Sequence, residues 1–268
     1  MDYFEILNYE KALKELIRRL GLKTTRRRII GYAGLTGALA AGAPPAASAD
    51  RAGIDPSLFS AQFAKRQTVR RYKPDPIPAE HVSMILDAAR RGPTCMNQQA
   101  WKFLVIRDQA KIQQMRKKTL DKITAALDDA ASKQPDDKKQ EFAARRATQV
   151  RFFEGYFTAP VYVVVLVDRE APCADYALRH DGPIAAGYLM AAARAFGYGT
   201  AYLTDGIPDA VTKEVLAIPD RYQRICITPI GVPDGWPKQA EKRKLEEMVA
   251  YETLEGHPPF RWLPYNPF

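Results

Sequence analysis

The 268 residues are 46% hydrophobic, enough to bury the core of one domain or at most two. The formal charge of +9 would ordinarily point to nucleic acid or an anionic membrane, but +4 of it falls in residues 1–49, and the rest contains no basic motif interleaved with aromatics, so no nucleic-acid partner is expected. Cys95, Cys173 and Cys226 are odd in number and widely spaced, and His81, His180 and His257 lack metal-ligand spacing, which argues against a disulfide framework and against a metal site.

Residues 1–49 read as a targeting segment. A cationic start at Arg26-Arg27-Arg28 leads into a weakly apolar, Gly/Ala-rich stretch and then a small-x-small site at Ala47-Ser48-Ala49, the layout of a secretory signal cleaved before Asp50. Arg26-Arg27 ahead of Ile29-Ile30 resembles the twin-arginine subtype. Export to the periplasm is expected, with transient membrane contact through this segment; without a working signal the protein would stay cytoplasmic. The competing reading is a basic helix cap followed by a buried helix, which Gly31, Gly34, Gly37 and Gly42 weaken. The apolar stretch is also shorter than the ~20 residues of a bilayer span. Residues 50–268 are then the folded domain, with a C-terminal arm over 251–268.

Hydrophobic periodicity predicts helices at 58–65, 80–91, 110–132, 138–157 and 184–196. In the second, Val82, Ile85, Leu86 and Ala89 share a face. Gln134-Pro135-Asp136 breaks the third from the fourth, and Gly197 ends the last. Strands are predicted at 101–106, 161–167, 200–203 and 224–231, and the β-branched run 161–167 suits a central strand covered on both faces. Alternating helices and strands without a G-x-G-x-x-G indicate an α+β or α/β sandwich that is not a Rossmann domain.

Four separated segments carry chemistry. Lys65-Arg66-Gln67-Thr68-Val69-Arg70-Arg71-Tyr72 sets guanidinium forks beside a hydroxyl, ahead of Pro74-Asp75-Pro76-Ile77-Pro78. Arg90-Arg91-Gly92-Pro93-Thr94-Cys95-Met96-Asn97-Gln98-Gln99-Ala100-Trp101 is a helix stop, a polar loop and an aromatic strand start. Asp181-Gly182-Pro183 opens a long apolar helix that leads to Gly197-Tyr198-Gly199-Thr200 and Leu203-Thr204-Asp205-Gly206. Pro229-Ile230-Gly231-Val232-Pro233 is followed by Glu241-Lys242-Arg243-Lys244-Leu245-Glu246-Glu247.

Together these segments resemble the nitroreductase family over nearly all of residues 58–250. The resemblance implies an α+β fold, a three-layer α/β/α sandwich around a mostly antiparallel sheet, entwined as a homodimer that binds FMN. Carried over residue by residue, Arg66 and Thr68 hold the FMN phosphate with Gln67 nearby. Arg70 lies against the pyrimidine edge, where a fixed cation stabilises charge developing at N1 and O2. Pro93, Thr94, Cys95 and Asn97 reach the FMN of the neighbouring subunit, and Gly206 offers a backbone N–H to N5. Lys242 or Arg243 completes the phosphate site, with the choice left open. Thr68 replaces the more usual Ser, Ala100 the usual Pro, and Ala240 stands where a second cation is common. Cys95 reads either as a redox thiol or as a small packing residue.

The implied activity is ping-pong reduction of flat, electron-poor acceptors such as nitroaromatics or quinones. No side-chain nucleophile, base or metal is expected, because the flavin carries the chemistry. The donor would be NAD(P)H or, for an exported protein, a quinol or redox partner. Phe152, Phe153, Tyr156 and Phe157, or the insertion 110–150, would shape the acceptor pocket if they do not simply pack the core. The Pro- and aromatic-rich arm would wrap over the partner subunit. The alternative is a flavin-binding protein that stores or fragments FMN, or senses redox state, without turning over an external substrate.

Overall fold

The computed structural model describes residues 60–257. Four strands, β1 (Trp101–Ile106), β2 (Val161–Asp168), β3 (Gly199–Thr200) and β4 (Tyr222–Gly231), form one sheet in the order β1-β2-β4-β3, with every pairing antiparallel. Among the described residues, five α-helices of eight or more residues flank it: α1 (Ala79–Ala89), α2 (Gln109–Ser132), α3 (Lys139–Gly155), α4 (Gly182–Ala195) and α5 (Asp209–Leu216).

The composition of β2 explains why both faces of the sheet are covered. Its side chains alternate with period two, and none from Val161 to Val167 is more than 5% exposed. Val161 and Val163 pack with Val82, Ile85 and Ala89 of α1 and with Leu189 and Ala193 of α4. Tyr162, Val164 and Leu166 pack on the opposite face with Ile112 and Met115 of α2 and Val211 and Val215 of α5. A strand polar on one side could not join both clusters, so the uniformly apolar run selects the α/β/α layering. Cutting a fully buried member such as Leu189 to Ala costs about 2–5 kcal/mol.

The α2 and α3 helices form a hairpin joined by a short 3-10 turn at Asp136–Lys138, where Pro135 breaks the helical run. Asp108 caps α2 by accepting from the Ala110 amide at 2.8 Å. Only the first half of α2 is anchored in the core, through Ile112, Met115 and Thr119. Ion pairs Arg116–Glu154 at 2.8 Å and Arg146–Asp128 at 2.6 Å tie the two helices.

Three sequence expectations change in detail. The strand predicted at 200–203 shrinks to Gly199–Thr200, and Leu203 keeps only an isolated bridge to Ile227 before the chain turns at Asp205-Gly206. Residues 58–65 retain, in their described part, a π-helical turn at Ser60–Ala64. Helix α5 is absent from the predicted set; at eight residues it is too short for a periodic pattern to stand out, although Pro208 precedes it and Val211 and Val215 lie one turn apart. The expected signal segment 1–49 and the last part of the C-terminal arm, 258–268, lie outside the described residues.

Candidate functional site

The basic segment after Ala64 runs beside the sheet edge. The Val69 amide donates to Thr200 O at 2.9 Å and Lys73 N donates to Val232 O at 2.9 Å. Val69 and Tyr72 are buried, with the Tyr72 hydroxyl donating to Val69 O at 2.6 Å, so Arg70 and Arg71 are left facing out. This approach needs Gly199: a Cβ there would meet Val69 side-chain atoms at 2.5 Å.

The chain after β4 returns to the same place. Gly235 turns it with φ +85, Trp236 stacks under the Arg194 guanidinium at 4.0 Å from its ring centre, and Gln239 Nε2 donates to Ala64 O at 2.6 Å. The result is a cleft of about 240 Å³ lined by Arg66, Gln67, Thr68 and Arg70 on one side and Pro237, Lys238, Gln239, Ala240 and Lys242 on the other. Segments more than 160 residues apart thus bring three basic side chains besides Arg70 into one concavity. Among the described residues neither Arg66 nor Lys242 is in an ion pair.

Lys242 and Arg243 separate clearly. Lys242 lines the cleft, whereas Arg243 pairs with Glu247 at 3.1 Å and is 67% exposed. Lys238 is a cleft residue that sequence reasoning missed. Ala240 lines the cleft without a charge, and the turn at Gly235 brings Lys238 in beside it.

A second hollow of about 340 Å³ adjoins the first, sharing Thr68, Arg70 and Pro237 and adding Phe152, Gly155, Asp234 and Gly235. Arg70 sits between the two: its Nε donates to the Tyr156 hydroxyl at 3.2 Å and its guanidinium lies 5.1 Å from the Phe152 ring centre. A Cβ on Gly206 would lie 3.3 Å from the Tyr156 ring, so Gly206 is the neighbour of a residue that touches Arg70. Of the four aromatics singled out, Phe152 lines this hollow, Tyr156 and Phe157 are core residues with the Tyr156 hydroxyl reaching Arg70, and Phe153 packs against the core.

The loop of Pro93, Thr94, Cys95 and Asn97 lines neither hollow within one chain. It is fixed from below: the Cys95 amide donates to the buried Asp181 carboxylate at 3.0 Å, and Gln99 Nε2 donates to Asn97 Oδ1 at 3.2 Å. Met96, Asn97 and Gln99 all adopt left-handed backbone, with φ of 51, 57 and 48. Such clustering of costly conformations is a mark of binding loops. Burial, then the neighbouring Cys173 thiol and Asp181, push the Cys95 thiol up to about 11. That makes it a poor nucleophile at neutral pH and favours the packing reading.

A flavin mononucleotide fits these groups. Gln67 Oε1 is buried without a hydrogen-bond partner. An orphaned acceptor cannot satisfy phosphate oxygens, which are acceptors too, but it suits the hydroxyl or N–H donors of a ribityl chain and flavin ring. The cations beside it suit the phosphate.

An antiparallel sheet between two helical layers, with the chain after the last strand closing a cationic cleft at the sheet edge, defines an α+β protein. The chain belongs to the nitroreductase family, an FMN-dependent family whose sequence profile matches residues 63–232. It is 27% identical over 220 residues to 5,6-dimethylbenzimidazole synthase of Rhodospirillum rubrum, covering 78% of this chain and 97% of that one. Identity is 30% over 191 residues to iodotyrosine deiodinase of Thermotoga neapolitana, covering 71% and 95%. A crystal structure of oxidised iodotyrosine deiodinase with FMN and 3-iodo-L-tyrosine superposes with a TM-score of 0.58 at 26% identity, covering 73% of this chain and 99% of that one.

Proposed function

We propose that the protein is an FMN-dependent oxidoreductase that reduces flat, electron-poor acceptors such as nitroaromatics or quinones by a ping-pong cycle. The observation that carries this reading is the meeting of Arg66, Thr68 and Arg70 with Lys238 and Lys242 in one cleft, beside the orphaned Gln67 acceptor. FMN, when bound, supplies the two-electron chemistry. Arg66, Lys238 and Lys242 neutralise its phosphate, Thr68 adds a hydroxyl, and Gln67 accepts from a donor on the ribityl chain or ring. Arg70, braced by Tyr156 and Phe152, stabilises negative charge at the pyrimidine edge. Gly206 offers its N–H to N5, while Pro93, Thr94, Cys95 and Asn97 serve the flavin of a second copy.

The second copy is part of the proposal. On α4, Ile184 and Tyr188 are 36% and 46% exposed, a Cβ on Gly187 would meet open space, and Met84 of α1 is 51% exposed. Apolar surface of this kind supports a homodimer contact. That the iodotyrosine deiodinase structure is bound to FMN and to 3-iodo-L-tyrosine, a halogenated aromatic, supports an aromatic acceptor. Donor and location are proposed together: NAD(P)H in the cytoplasm, or a quinol or redox partner if the Arg26-Arg27 segment directs export.

Purified protein should be yellow and should release FMN on denaturation in proportion to chains. After anaerobic photoreduction, menadione or a nitroaromatic should reoxidise it within seconds. Colourless protein that takes up no FMN contradicts the cofactor reading; a bound flavin that neither acceptor reoxidises supports storage, fragmentation or sensing instead. Steady-state assays with NADH, NADPH and a quinol then assign the donor.

A further inference from the structure

Strand β4 slips against β2 at one point. Val165 faces Cys226 but Leu166 faces Arg224, which leaves Ile225 as the extra residue of a β-bulge. A bulge interrupts alternation and re-aims a side chain. Ile225 packs in the cluster of Val165, Ala186 and Cys226 on the α4 side. Arg224 is thereby sent to the other face, towards α5.

There its side chain is only 6% exposed, and burial pulls the guanidinium pKa below its ordinary value. A buried cation needs compensating partners, and three hydrogen bonds and one carboxylate supply them here. Nη1 donates to Ile207 O at 2.7 Å and to Thr212 Oγ1 at 2.8 Å, Nη2 donates to Thr204 O at 2.6 Å, and Nε lies 3.1 Å from the Asp209 carboxylate. Two of these acceptors are backbone carbonyls that bracket Asp205-Gly206. The planar fork holds both ends of one short turn at once, which a lysine's single ammonium cannot do.

We infer that Arg224 is a positioning residue: from the β4 bulge it fixes the peptide that carries the Gly206 N–H, and so sets how that amide meets the flavin ring. The inference rests on the flavin reading proposed above. Arg224 itself touches no part of the cleft.

The test pairs Arg224→Lys, which keeps the charge and loses the fork, with the milder Thr212→Val. Hydrogen exchange on FMN-free protein reads the turn directly. Amides 205–207 are expected to exchange about tenfold faster in R224K and about threefold faster in T212V, with β2 amides unchanged. In FMN-loaded protein, affinity is expected within about threefold of wild type, because the phosphate contacts are untouched. The flavin midpoint potential should shift by about 30 mV, a tenfold change for a two-electron couple, and kcat should fall about tenfold with KM within about threefold.

Unchanged exchange at 205–207 in both variants overturns the inference, as does a wild-type potential in a folded R224K. If R224K does not fold, T212V decides alone, and wild-type exchange in it counts as refutation. A wild-type protein that binds no FMN overturns the flavin reading, and the exchange experiment then still reports whether Arg224 orders the turn.

Discussion

Two loops carry most of the polar groups assigned to the flavin, and they are built in opposite ways. The cleft of Arg66, Gln67, Thr68 and Lys242 is completed within one chain, its walls joined by the Gln239–Ala64 hydrogen bond. The loop of Pro93, Thr94, Cys95 and Asn97 is held rigidly through Asp181, with three residues in left-handed backbone, yet faces neither hollow of its own chain. The first is a self-sufficient binding surface. Among the described residues, the second is a preorganised element that lines neither hollow, which fits a loop serving a second copy. Anchoring of the phosphate should therefore survive changes that weaken the dimer, while contacts to the ring should not.

The largest expected effect breaks the self-sufficient half. Replacing Arg66 and Lys242 together by Ala removes two charge-assisted contacts of about 1.5–3 kcal/mol each, so FMN affinity should fall by about 10²- to 10⁴-fold in a fluorescence titration. A loss under tenfold would move the phosphate elsewhere. Next is the chemistry of the other loop. The Cys95 thiol, raised from 9.0 to about 11, should carry about a hundredfold less thiolate at pH 8 than an ordinary cysteine. Peptide-resolved iodoacetamide labelling should stay slow there and climb towards pH 11; rapid labelling at pH 7 would restore the redox-thiol reading.

A smaller effect separates neighbours in the cleft wall. Lys242→Ala should weaken FMN by about tenfold, and Arg243→Ala by less than about twofold, since Arg243 is spent on an exposed pair with Glu247. Equal losses would place both cations on the phosphate. The smallest is a gain. Met96 is half-exposed at φ 51, so Met96→Gly should relieve left-handed strain and stabilise the fold by about 0.5–1 kcal/mol in urea unfolding. Destabilisation would mean that the Met96 side chain is covered by another surface, and would sharpen the case for a partner there.

Much of this was legible in the chain. The run at 161–167 specifies a strand buried on both faces, and Val82, Ile85 and Ala89 mark the inward face of α1, because each is a local periodicity. Arg66, Thr68 and Arg70 were named by the resemblance of residues 65–72 to the family's opening motif, and the structure brings all three into one cleft. What was not legible depends on distance along the chain or on broken periodicity. Lys238 enters the cleft only because Gly235 turns the loop, Tyr156 meets Arg70 across 86 residues, and Arg224 faces α5 only because a bulge displaces it. A strict alternation along β4 would have put Arg224 on the same side as Cys226 and hidden its role.

The cleft between Arg66 and Lys242 is proposed as the phosphate site. Comparing dissociation constants of FMN and riboflavin, which differ only by that phosphate, tests it most directly. Wild type should prefer FMN by at least about a hundredfold, and the preference should collapse in the Arg66→Ala, Lys242→Ala protein. Equal affinity of wild type for the two flavins would contradict it.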